Sequence, residues 1–137
     1  MYQKILVPVE PSHAERHQDA LEMALALRAD ESAEVIAVTV IEPMPGYFAA
    51  ADMLPDLQLK AAQETLKTVS SLLGDGQSVK TKIVHGNAAN EINAFAKAQG
   101  ADCIVIGSHK PELADYLLGS TAARVVRHAP CSVLVMR

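Results

Sequence analysis

Short apolar runs alternate with amphipathic stretches from one end of this chain to the other, and that alternation restricts the fold more than any other feature. "KILVPV" (4–9) is a continuous apolar run of strand length. In "PSHAERHQDALEMALALRAD", Ser12 and Glu15 have capping-box spacing. Leu21, Ala24, Leu25 and then Leu27 or Arg28 recur at helical intervals, giving a first helix. "AEVIAVTVI" (33–41) is a second β-branched run, followed by a loop over 42–55 with three prolines and a glycine. "DLQLKAAQETLKTVSSLLG" places Leu59, Ala62, Leu66, Val69 and Leu73 on one helical stripe, closed by Gly74. "SVKTKIVHG" (78–86) alternates apolar and polar residues at first, as a strand near a sheet edge does. A third helix runs from Asn87, a capping residue, to Gly100. "ADCIVIG" is a fully apolar strand, "STAARVVRHAP" a last helix stopped by Pro130, and "CSVLVM" a last strand.

The order is β-α-β-α-β-α-β-α-β. Strict alternation with apolar strands predicts an α/β fold: one domain over 1–137, a doubly wound five-stranded parallel sheet with helices on both faces. Right-handed crossovers limit the strand orders, and the winding reverses where strand one meets strand four or strand three. The order taken forward is 3-2-1-4-5. The 137 residues suffice for one core, and half of them are apolar. No repeat or low-complexity segment interrupts the pattern.

Composition excludes several classes. The net charge is −4 and lysine and arginine form no run, so nucleic acid is not an expected partner. No apolar run approaches the roughly 18 residues of a membrane-crossing helix. The amino-terminal run is also too short for a secretory signal, so the expected location is the cytoplasm. Cys103 and Cys131 lie outside any C-x-x-C pair and read as buried, reduced thiols.

In sheets of this class, ligands bind beyond the carboxyl ends of the strands, where the winding reverses. There the first strand ends in Pro8-Val9-Glu10 and the fourth in Gly107-Ser108-His109-Lys110. Gly119, Ser120 and Thr121 open the last helix, whose free N–H groups and positive dipole end suit an anion. Ser120 can cap that helix or turn its hydroxyl to a phosphate, and Lys110 can add a point charge. The same residues could serve as a plain cap and turn; their meeting at one rim favours a phosphate site.

The start "ILVPVE" and the end "VIGSH…LLGSTAARVVRHAPCSVLVMR" resemble the universal stress protein family, and the likeness spans the whole chain. Nucleotide-binding members carry Gly-x2-Gly-x9-Gly-(Ser/Thr). Gly107 fits the first glycine and Gly119-Ser120 the last pair. Lys110 stands at the second glycine position, the loop is one residue shorter, and glutamate stands at position 10 where the family usually has aspartate. "SHKPELADYLLGS" is similar to a branch with Ser-His-(Lys/Arg)-Pro that is associated with ATP.

The resemblance implies that Pro8, Val9 and Glu10 lie along an adenine flanked by Val40. Ile106, Gly107, His109 and Lys110 would face ribose and phosphates, and Gly119, Ser120, Thr121 and Ala122 would hold the phosphates. Mg²⁺ or Mn²⁺ would accompany the triphosphate. The resemblance also implies a homodimer through the last strand, or a tetramer built from it; that strand is an apolar edge with no charge inside it. The expected function is an ATP-binding stress-response or signalling module with little or no turnover. The alternatives are a slow ATPase, with Glu10, Ser108 and His109 as the nearby polar groups, and a nucleotide-free structural dimer.

Other features carry less. His13 and His17 share a helix face at i, i+4, without a glutamate between them or a third ligand, and read as a solvated face. Arg127 and His128 suit the negative end of the last helix, and Arg124 reads as exposed. Tyr47 and Phe48 sit in the irregular stretch 44–53, as a lid, a dimer contact or a loop folded on its own core. Receiver, flavodoxin and Rossmann folds lack their signatures here: no acidic pair after the first strand, no hydroxyl-rich loop there, and no Gly-x-Gly-x-x-Gly.

Overall fold

The strand segments read from the sequence form one all-parallel sheet in the computed structural model, which describes residues 1–10, 17–43, 54–73, 79–108 and 119–137. Its elements are β1 (Lys4–Pro8), α1 (Gln18–Ala26), β2 (Glu34–Ile41), α2 (Leu54–Leu72), β3 (Lys80–His85), α3 (Ala88–Gln99), β4 (Cys103–Gly107), α4 (Ser120–His128) and β5 (Ser132–Met136). The strand order is β3-β2-β1-β4-β5, so β1 and β4 are neighbours at the reversal point. Of the two arrangements left open by the winding rules, strand one beside strand four is the one formed.

Alternation along each strand divides the core. Ile5, Val7, Val35, Ala37 and Val105 pack with Leu21 and Ala24 of α1 and with Leu66 and Val69 of α2. Leu6, Ile36, Val38, Ile104 and Ile106 pack on the other face with Ile92 and Ala96 of α3 and with Ala122 and Val125 of α4. Helices therefore cover both faces, and past their first residues the three central strands are apolar except for Thr39, because neither side of them meets water. β3, with an edge pattern in its sequence, is an edge.

Local chemistry explains the helix ends. The Asn87 side chain accepts the Asn90 N–H at 3.1 Å, and α3 closes on Gly100 in the left-handed region at φ 68°. Arg127 and His128 occupy the last turn of α4, and Arg124 is exposed. The capping pair Ser12–Glu15 and the closing Gly74 lie outside the described residues; α1 is preceded by His17 at the cap position. On α2, Ala62, Leu66 and Val69 are buried as the stripe requires, but Leu59 is exposed, and Thr65 takes a buried place instead. The stripe meets the sheet only from its second turn onward.

At the amino ends of the strands, the Asp102 carboxylate accepts the Gln3 N–H at 2.8 Å and the Lys4 N–H at 3.0 Å. Lys80 and Lys4 both approach Glu34, at 2.9 and 3.8 Å. The Lys80 hydrogen bond, then its charge, with a smaller contribution from Lys4, hold the Glu34 carboxyl below its ordinary range.

Candidate functional site at the carboxyl rim

Three segments meet at the carboxyl rim. The β1–β4 register pairs Leu6 with Ile104, which brings Pro8 level with Ile106 two residues on. Past β1, the Val9 N–H donates to the Val38 carbonyl at 2.8 Å, and the Glu10 N–H to His17 Nε2 at 3.0 Å. Past β4, the Ser108 N–H donates to the Met136 carbonyl at 2.7 Å. The Ser108 hydroxyl in turn accepts the Gly119 N–H at 3.2 Å. That bond fastens the start of α4 to the tip of β4 although the two partners are eleven positions apart in sequence.

The start of α4 differs from the sequence reading. Gly119, not Ser120, is the cap residue, and no side-chain cap is made there. Ser120 is the first helical residue and is exposed; Thr121 is half-buried and Ala122 buried. The amides of Ser120, Thr121 and Ala122 belong to the first helical turn, where no intrahelical acceptor exists. The first turn also holds no acidic residue. The Ala123 N–H, one position on, already bonds to the Gly119 carbonyl at 2.9 Å.

Gly107 and Gly119 are glycines without a backbone or packing reason among the described residues. Neither has a positive φ, and Gly119 sits at φ −61°, ψ 153°, open to any residue. A Cβ built on either meets none of the described residues within 4 Å. Gly86 is the contrast: its φ is +140°, and a Cβ there would lie 2.7 Å from the Glu91 side chain.

The remaining expected residues distribute as follows. Pro8 and Val9 are buried and Glu10 is half-buried; Gly107 is half-buried at the tip of β4. Val40, Ile106 and Ala122 face the α3/α4 side of the sheet, while Val9 packs its side chain on the α1/α2 side. Val9 and Val40 therefore cannot present side chains to the same surface. His109 and Lys110, with Tyr47 and Phe48, lie outside the described residues.

His17 was read as part of a solvated face and is instead 3% exposed, with its imidazole turned to the Glu10 amide. Helical spacing could not find this role, because His17 precedes the first helical residue and its direction is set by the strand it touches. Cys103 is buried, and burial first, then the nearby Cys131 and Asp102, push its thiol up to about 11. Cys131 is only half-buried, against expectation, and its thiol is raised too, chiefly by burial. Both are poor nucleophiles at neutral pH.

An open groove of about 740 Å³ lies elsewhere, between α2 and β3, lined by Lys60, Lys67 and Lys82 beside Gln63, Ser70 and Thr81. It flanks the middle of an edge strand and touches none of the rim residues. Among the described residues, no group of three or more His, Cys, Asp and Glu could hold a metal ion. No described helix is long and apolar enough to cross a membrane.

Residues 1–137 match the model of the universal stress protein family. The chain is 33% identical over 151 aligned residues to "Universal stress protein G" of Shigella flexneri, with all of both chains covered. Among solved structures, universal stress protein UspA from Lactobacillus plantarum superposes with a TM-score of 0.78 at 28% identity, covering 99% of this chain and 98% of that one. A universal stress protein solved in complex with cAMP superposes with a TM-score of 0.72 at 25% identity, covering 99% and 97%.

Proposed function

Since this chain belongs to the universal stress protein family, we propose that it is an adenine-nucleotide-binding module of the stress response. ATP is its ligand, and it works by changing its contacts rather than by turning the nucleotide over. The whole chain acts as one unit, in the cytoplasm.

One observation carries this reading. Among the described residues, the start of α4 joins first-turn amides that have no intrahelical acceptor to a cap residue, Gly119, whose missing side chain neither the backbone nor the packing demands. An anion at a helix start receives N–H donors and a favourable dipole end, and a bare glycine lets it come close. The cAMP held by a relative of the same fold supports an adenine nucleotide as the guest. In this reading Ser120, Thr121 and Ala122 hold phosphates by their amides, with the Ser120 and Thr121 hydroxyls at hand. Gly107, Ile106, His109 and Lys110 face ribose and phosphates from the β4 side. Pro8, Val9 and Glu10 border the adenine, Val9 through its main chain, and Val40 flanks it.

The divalent ion, Mg²⁺ or Mn²⁺, rides on the phosphates, since the described residues form no carboxylate cluster to hold it. Hydrolysis needs a placed base, and the Ser108 hydroxyl is already engaged with Gly119. The chain assembles as a homodimer through β5, an edge strand whose Val133, Leu134, Val135 and Met136 are only half-buried.

Mass spectrometry of gently purified protein, with thermal melting in ATP and Mg²⁺, tests the ligand. Saturation at about 100 times Kd adds about 2.7 kcal/mol and a matching rise in Tm. A nucleotide-free preparation with no shift sinks the reading. Sedimentation at micromolar concentration tests the assembly, where a monomer mass removes the dimer.

A further inference from the structure

Among the described residues, the rim holds one buried titratable side chain to which the nucleotide reading gives no part. His17 is 3% exposed and accepts the Glu10 N–H at Nε2, 3.0 Å away. It occupies the cap position of α1 without capping it, at φ −103° and ψ 0°. Beyond the β1 ladder, the chain is held first by the bond from Val9 to Val38 and then by this one. Glu10 is thereby pinned between the strand and the helix that follows.

An imidazole nitrogen accepts only while it carries no proton. The neutral ring with its proton on Nδ1 makes this bond. A second proton would set two N–H groups against each other, and would place a buried charge at the positive end of the α1 dipole. The strands packed against α1 are β1, β2 and β4. Their described titratable groups are Lys4, Glu34 and Cys103, all at the opposite, amino ends of the strands; Glu10, just past β1, is the one at the histidine's end. On α1 itself Asp19 and Glu22 are exposed. His13, Glu15 and Arg16 precede the ring in sequence, in the segment outside the described residues.

We propose that His17 is a positioning residue of the nucleotide site: its neutral imidazole clasps the Glu10 amide and fixes the tip of β1, and protonation opens the clasp and weakens binding. This rests on the nucleotide reading above for its effect on affinity, and on the hydrogen bond alone for the clasp. No contact between His17 and nucleotide is required.

The experiment follows the Glu10 amide by hydrogen exchange in ¹⁵N-labelled protein from pH 8 to pH 5, corrected for intrinsic rates. The Kd for ATP–Mg²⁺ is measured at the same pH values. Wild type is compared with His17→Gln, whose Oε1 can accept in place of Nε2 without titrating, and with His17→Leu, which cannot accept. In wild type, Glu10 protection and ATP affinity each fall by about tenfold toward pH 5, the scale of a lost buried hydrogen bond. The terminal phosphate of ATP titrates in the same range, so His17→Gln is the reference and keeps Glu10 protected throughout. His17→Leu loses protection and affinity at every pH.

Equal pH profiles in wild type and His17→Gln overturn the proposal, as does unchanged Glu10 protection in His17→Leu. Should His17→Leu not fold, the wild-type and His17→Gln comparison decides alone. If wild type binds no ATP at pH 8, the nucleotide reading falls and the positioning role with it, while exchange still reports whether the clasp exists.

Discussion

α3 and α4 both follow strands of the same sheet and pack on the same face of it, yet their amino ends are finished in opposite ways. At α3, Asn87 accepts the Asn90 N–H, Glu42 Oε1 accepts the Ala88 N–H at 2.9 Å, and Glu91 adds a negative charge to the first turn. At α4, the cap residue has no side chain, the first turn has no acid, and one neutral hydroxyl, that of Ser108, takes one N–H. Among the described residues, the protein supplies an anion and side-chain caps to the start of α3 and only that one hydroxyl to the start of α4. A helix start finished in that way forgoes the stabilisation that a capping side chain and a first-turn acid bring, and in the proposed function an external anion takes that place.

The comparison is broken most forcefully by making α4 resemble α3. Gly119→Asp gives it a capping carboxylate at a backbone geometry any residue tolerates, with no atom of the described residues within 4 Å of the new Cβ. ATP affinity falls by about 100-fold, as juxtaposed like charges dictate, while Tm holds or rises; calorimetry and thermal melting read the two together. Unchanged affinity would falsify the placement of the phosphates.

Ser108→Ala frees the Gly119 amide and unfastens the helix start from β4. Titration with ATP is expected to give about fivefold weaker binding, the scale of one neutral hydrogen bond. Asn87→Ala damages the other helix: denaturant melts show a loss of about 1 kcal/mol, with ATP affinity unaltered. A matching loss of affinity there would mean that the two helix starts are not independent.

The smallest effect belongs to the amino rim. Glu34 is half-buried and its folded carboxyl titrates below its unfolded value. Its contribution is therefore complete above the ordinary glutamate range, and fades as pH drops through the lowered folded value. Glu34→Gln should show a slightly shallower decline of Tm below about pH 4.5, with nucleotide binding at neutral pH untouched.

The sheet was legible because its central strands are apolar on both faces, and Ile5, Leu6 and Val7 have no polar partner position to confuse the pattern. The edge character of β3 was legible from Lys80 and Lys82 alternating into an otherwise extended run. Less could be read where tertiary contact decides. Leu59 has helical spacing but is left exposed in the fold. Ser120 is a better intrinsic cap than Gly119, yet the bond from Gly119 to Ser108 sets the helix start one residue earlier. His17 shows the limit most clearly: its partner is a backbone amide, and no side-chain pattern reports where an amide points. Of the candidate site, the rim and the glycines were readable; the opposed faces of Val9 and Val40 emerged only once the sheet was formed.

Asp102 binds the amides of Gln3 and Lys4 from almost a hundred positions away along the chain. During synthesis, β1 can gain its β2 neighbour early. Its other flank and that carboxylate arrive only when residues 102 to 107 have been made. Until then the nascent half-sheet exposes β1 as a raw apolar border, the kind of surface that chaperones shield. The seam later opposite the carboxyl rim is thus the last stitch of the central sheet, and the ribosome sets its timing.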